Sequence, residues 1–277
     1  LRAGERRDAL ALKPWLVGSA VLGLLLSAVA LALLAASMAG TPPWPVDRDA
    51  IGMLLSGSAT GTAWKARMVA LIVAALVALV AAGRTFRLGS VALASGVALA
   101  TLAWAGHGAM DEGPIGWAHL IADILHLLAA GAWVGALLGL VLLVTRPARH
   151  VDPPHLMLTH RALHGFGAVG TIVVGTIVVT GLLNAWMLVG VGNVLNLGAT
   201  LYGRLLLAKL ALFVAMLALA ALNRFRLTPR FEASITAANY RGALGMLRRS
   251  LAAEMACIIA ILALVAWLGT LEPPASI

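Results

Sequence analysis

An all-α, polytopic transmembrane helix bundle is the fold class this sequence predicts, on three observations. Only 11% of its 277 residues are charged, against roughly 25% in a soluble domain. Hydrophobic residues make up 61% with few aromatics among them, so the apolar mass is Ala, Leu, Val and Gly, the palette of closely packed membrane helices. Long runs without Asp, Glu, Lys or Arg recur along the chain, and about 20 apolar residues suffice to cross the hydrocarbon core.

A charge at the bilayer centre costs about 2.5 to 3.5 kcal/mol on insertion scales, so charge-free runs locate the spans. The first is expected over residues 14–39, between Lys13 and Asp47. The second (63–83) and third (85–105) are divided by Arg84 and Arg87, and the fourth covers 115–144. Residues 162–203 carry no charge and are too many for one helix. Gly190-Val-Gly-Asn-Val-Leu-Asn-Leu-Gly198 supplies turn-favouring Gly and Asn, which gives a fifth span (163–189), a short loop at the bilayer edge and a sixth span (199–223). The seventh is expected over 247–270. No repeat or linker divides the chain, so 1–277 reads as a single transmembrane domain. It opens Leu-Arg-Ala-Gly rather than with Met, and an N-terminal segment is expected to be absent.

Fifteen of the 20 Lys and Arg residues lie in the N-terminal segment and the second, fourth and sixth links. This alternation is a positive-inside signal: the visible N-terminus is expected in the cytoplasm and the C-terminus outside. The net charge of +9 is thereby used in orienting helices, and nucleic acid is not an expected partner. Cys257 is the single cysteine, which excludes a disulfide scaffold or a thiolate metal cluster within one chain.

Any metal must therefore be held by His, Met and carboxylate. His107 and His119 fall at the outer ends of the third and fourth spans, joined by a link with Met110, Asp111 and Glu112 and no Lys or Arg. In the fourth span His119, Asp123 and His126 share one helical face at about 100° per residue. Counted from Ile115, they lie roughly 6, 12 and 16 Å deep. His119 and His126 are too far apart to hold one ion, so each needs partners from other helices. Asn184 and Met187 of the fifth span lie at a matching depth. Imidazole with thioether suits copper, particularly Cu(I).

Intramembrane ionisable groups mark functional sites by default, but Asp123 also has a structural candidate partner, Lys209, at similar depth. Glu254 is within reach of the inner arginines. His160 and His164, spaced i, i+4, and His150 and His155 fall in the expected cytoplasmic link. The remaining methionines share no face.

At Gly106-His107, at residues 119–135 (HLIADILHLLAAGAWVG), 180–190 (TGLLNAWMLVG) and 202–230 (YGRLLLAKLALFVAMLALAALNRFRLTPR), the chain resembles the CopD/PcoD family of bacterial inner-membrane copper proteins. The resemblance implies an eight-helix protein, with one helix before the first visible span. It implies movement of copper, as Cu(I) or Cu(II), across the cytoplasmic membrane, usually inward, often supplied by a periplasmic CopC-like chaperone. His107, His119 and His126 are the histidines within matching motifs. An inner site at His160 and His164 is not implied, because the sequence departs from the family there.

The expected function is thus a non-enzymatic copper permease with His107, His119, His126, Asp123, Met110 and Met187 along its path. A b-type haem electron carrier is the alternative from another class, limited to one haem because only His126 is deep. A copper receptor that binds without transport shares every feature of the permease. The sequence carries no phosphate-binding loop, so transport is expected to run on gradients.

Overall fold

The structure, a computed structural model, describes residues 12–80, 83–105, 113–146, 153–237 and 239–271. Among these residues the regular elements are all helices: α1 (Leu12–Ala39), α2 (Arg48–Gly57), α3 (Ala59–Leu79), α4 (Arg84–Ala100), α5 (Gly113–Val144), α6 (Pro153–Val189), α7 (Leu201–Leu222), α8 (Thr228–Thr236) and α9 (Arg241–Leu268). Short 3-10 segments follow α4 (Thr101–Ala105) and α6 (Val191–Ala199), and a π-helical turn, Asn223–Leu227, joins α7 to α8. Seven helices among the described residues are long and apolar enough to cross a membrane, as the charge-free runs predict. The chain forms two compact units, one containing Ala11–Leu128 and the other Ala129–Ile277.

In the first unit α3 packs against α1 and α4. Its buried residues are Gly61, Ala63, Arg67, Ala70, Ala74 and Ala78, which from Ala63 onward recur every three or four positions. Small side chains there let helix backbones approach closely, which is how membrane helices gain contact when lipid is as apolar as Leu. The larger residues point outward: Leu25 is 61% exposed and Leu93 72%. Trp64 donates its Nε1–H to Ser27 O of α1 at 2.8 Å. The link between α1 and α3 contains a helix that charge counting does not register. Asp47 Oδ1 caps α2 by accepting from Asp49 and Ala50 N–H, both at 3.0 Å.

In the second unit α7 lies along α9, over a core that includes the fully buried Leu137, Phe231 and Leu247. The C-terminal end of α5 is secured by side chains. Arg248 of α9 donates its Nε–H to Val144 O and its Nη2–H to Arg146 O at 3.2 Å. Arg146 Nη1 donates to His155 Nδ1 at 3.2 Å, so His155 presents its Nε2–H to Leu143 O at 3.0 Å. The final carbonyls of a helix have no intrahelical partners and favour cationic donors. Arg248→Ala is expected to cost about 1–3 kcal/mol, read as a lower thermal midpoint of the solubilised protein. Arg248→Lys is expected to recover only part of it, because its single ammonium nitrogen lacks the planar spread by which Nε and Nη2 reach separate carbonyls.

Helix α6 begins ten residues before the expected span, at Pro153. Proline suits a first helical turn, where its missing N–H has no partner to lose. The π turn has a similar cause. Pro229 cannot donate to the carbonyl four residues back, and Thr228 N–H bonds to Asn223 O, five back.

Candidate metal path and a buried carboxyl

Helix α5 carries the polar stripe. His119 is 2% exposed, and Asp123 and His126 are half-buried. They follow at roughly 6 and 10 Å along the axis. Trp117, Ile121 and Leu125, on the other side of the same turns, are 66%, 54% and 45% exposed. The stripe is thus the more buried side of these turns, and none of its three residues is without an interacting partner.

The segment that leads in sequence toward His107 is anchored by side chains of α3. Arg67, a cation within the expected second span, sits eight residues inside α3 and is 8% exposed. Its Nε–H donates to Thr101 Oγ1 at 3.0 Å and its Nη2–H to Thr101 O at 2.9 Å. Thr60 Oγ1 donates to Trp104 O at 3.0 Å. The 3-10 segment that leads toward His107 is thus tied to α3 at two points. His107 and Met110, with Asp111 and Glu112, lie outside the described residues.

Asn184 and Met187 are half-buried near the C-terminal end of α6. Both belong to the second unit, as does Lys209, whereas His119, Asp123 and His126 belong to the first. Asn184 and Lys209 likewise have interacting partners. Among the described residues, no three His, Cys, Asp or Glu side chains converge on one metal position. A complete site would need thioether, or donors outside those residues.

The three described histidines of the expected cytoplasmic link ride on α6. Both ring nitrogens of His155 are committed to protein partners. His160 Nε2 lies 3.3 Å from Glu232 Oε2, and its ring centroid is 6.3 Å from that of His164.

Glu254 of α9 is 1% exposed. Its partner is not an inner arginine, as its position in the sequence suggested, but Asn223, whose Nδ2–H donates to Glu254 Oε1. This pair borders a cavity of about 300 Å³ within the second unit, walled by α5, α6, α7, the π turn and α9. A carboxylate alone in an apolar run is the signal for such a group. Its partner, 31 positions away, cannot be read without the helix register.

Two family models match the chain: residues 2–117 match the copper resistance protein D-like N-terminal domain, and residues 160–268 match copper resistance protein D. The α5 stripe lies between them. Copper resistance protein D of Pseudomonas syringae pv. tomato is 42% identical over 278 residues, covering 99% of this chain and 88% of that protein. The chain belongs to the copper resistance protein D family. Within that family its likeness reaches a Bacillus subtilis (strain 168) protein named copper transport protein CutJ. The identity is 33% over 173 residues, 62% of this chain and 28% of that protein. Inner membrane protein YebZ of Escherichia coli (strain K12) is 32% identical over 134 residues, 47% of this chain and 43% of that protein. No solved structure matches the chain. The family is one of copper resistance and transport membrane proteins, not of enzymes, and the seven apolar helices agree with a multi-pass membrane protein.

Proposed function

We propose that this member of the copper resistance protein D family carries copper ions across the bacterial cytoplasmic membrane, from the periplasm inward. The observation that carries the reading is the row His119, Asp123 and His126 on the more buried side of α5, with His119 almost fully buried. Ionisable side chains that face a bundle interior mark ion paths. Copper enters at an outer site of His107 and His119 with Met110, where imidazole and thioether accept Cu(I) and imidazole also accepts Cu(II). It then passes to Asp123 and His126 at mid-membrane. The C-terminus lies in the periplasm, where a CopC-like chaperone delivers the ion, and residues 1–277 act as one transmembrane domain.

Proteoliposomes containing a copper-sensitive dye test this reading. Wild type is expected to admit copper, and His126→Ala to lower the initial rate by about tenfold, the scale on which a metal site loses affinity when its support is removed. Equal rates would remove His126 from the path. Copper binding without entry would make the protein a receptor, and a stoichiometric haem spectrum would make it an electron carrier.

A further inference from the structure

We propose that Glu254 is a proton-binding site, neutral when paired with Asn223, and that its proton is the ion coupled to copper movement. The second half rests on the transport reading; the first stands on the cavity alone. Glu254 is buried to 1% exposure, where an ionised carboxylate without a cation is far more costly than a neutral acid. The cations nearby are otherwise engaged. Arg224 borders the same cavity, but it is exposed and its Nη1–H donates to Thr171 Oγ1 at 2.6 Å. Arg248 turns to the carbonyls at the end of α5, and on α8 Glu232 lies against His160. The cavity walls from α5, α6 and α7 carry no titratable side chain. On α9 itself the neighbours one turn away are Ser250 and Cys257.

The hydrogen-bond inventory points the same way. Asn223 Nδ2–H donates to Glu254 Oε1, yet Asn223 Oδ1, buried in a residue that is 7% exposed, has no partner. A primary amide and a neutral carboxyl each offer one donor and one acceptor side by side. A proton on Glu254 Oε2 supplies the donor that Asn223 Oδ1 lacks and closes a two-bond ring. An ionised Glu254 leaves that oxygen unsatisfied.

Release of the proton has a route. Trp133, 4% exposed, places an unpartnered Nε1–H beside the same cavity. At about 30 Å³ per water molecule, the cavity has room for a short chain of them from Glu254 to its mouth. Asn223 also opens the π turn, a local widening that is frequent at functional sites. Breaking one amide–acid pair there exposes the carboxyl to the cavity.

Infrared difference spectroscopy of the full chain in lipid nanodiscs, titrated with pH, tests the site. Wild type is expected to show a protonated-carboxyl C=O stretch that Glu254→Gln lacks. Glutamine is the apt variant because its amide reproduces the neutral acid's donor and acceptor. Dicyclohexylcarbodiimide, which reacts with protonated carboxyls, gives a second readout on wild type without any substitution. Peptide mass spectrometry should place the adduct on Glu254, with labelling slowing as pH rises. Absence of both band and adduct, or a band that survives in Glu254→Gln, overturns the site.

Coupling is read in the same dye-containing proteoliposomes with the membrane potential clamped. One-for-one exchange changes steady-state accumulation by about tenfold per pH unit of gradient, because equal ratios of either ion carry equal free energy. Glu254→Gln is expected to lose that dependence, and retention of it overturns the coupling. If wild type admits no copper, the transport reading and the coupling fall together, while the band and the adduct still decide the proton site.

Discussion

Replacing Arg67 by methionine is expected to lower the stability of the first unit by about 2 kcal/mol and to cut copper entry by about tenfold, the low end for loss of a metal site's supporting contacts. The stability figure is a net of opposing terms. Two charge-assisted hydrogen bonds to Thr101 disappear, and Thr101 O, at the end of α4, is left without that donor in a buried position. Against this, a cation no longer has to be kept out of water, and methionine retains much of the apolar stem. The transport effect follows from position. The 3-10 segment that Arg67 holds leads toward His107 in the sequence, and if His107 is the ligand proposed above, even a short displacement takes it out of bonding range.

Two further variants separate charge from geometry. Arg67→Lys retains the cation but not the planar fork that reaches Nε and Nη2 partners on one residue, so it is expected to resemble Arg67→Met. Thr101→Val removes Oγ1 and leaves the Nη2–H bond to Thr101 O, and its loss is expected to be smaller. If Arg67→Lys behaves as wild type, the charge rather than the clamp is what matters at this position. If Arg67→Met matches wild type in both thermal midpoint and copper entry, the clamp has no role.

Arg67 also shows where reading this sequence succeeds and where it stops. The spans are legible because hydrocarbon thickness and the cost of a buried charge act on every residue locally. The expected third span, 85–105, is recovered as α4 and the 3-10 segment together. The same logic fails wherever a helix outruns the bilayer or a charge finds a partner within it. Helix α6 continues to Pro153 because helical hydrogen bonding does not end where lipid does, so His155, His160 and His164 ride on a helix that charge counting ends near Leu163. Arg67 falls inside the expected second span as an apparently uncompensated charge, because its compensation comes from Thr101, 34 positions away.

The candidate path divides along the same line. The α5 stripe is legible, since a 3.6-residue period places His119, Asp123 and His126 on one face whatever surrounds them. Which donors from other helices complete it depends on packing, for which spacing carries no signal. Glu254 is conspicuous as a carboxylate in an apolar run, but a sequence shows only the nearest cations, and these are numerous at the arginine-rich end of the chain. The neutral partner that the fold supplies, Asn223, is one among several Asn residues until α7 and α9 are placed side by side.

The other large effect is expected at Gly203, whose replacement by alanine should destabilise the second unit by about 1–3 kcal/mol or more. A Cβ built there would lie 1.8 Å from Leu197 O, 2.6 Å from Leu197 C and 2.8 Å from its Cα. All three are backbone atoms, so no rotamer change relieves the overlap. Either α7 or the preceding 3-10 segment must move. Movement would disturb the N-cap, in which Thr200 Oγ1 accepts from Gly203 N–H at 3.0 Å, and the cluster of Tyr202, Leu205 and Leu206 with Val189 and Leu268. Opposing these losses is alanine's better helix propensity, about 1 kcal/mol in a helix interior and less in a first turn. Gly198→Ala is the control, because a Cβ there meets nothing within 4 Å. It should leave the thermal midpoint unchanged or raise it slightly through a less flexible unfolded chain. Gly190→Ala is expected to cost roughly 1–2 kcal/mol, because its φ of +72° lies in the left-handed region that an L-residue rarely adopts. A Gly203→Ala protein that melts with wild type would mean that the Leu197 carbonyl does not lie against α7. The tight turn that returns the chain after Asn184 and Met187 would then need another explanation than the absence of a side chain at residue 203.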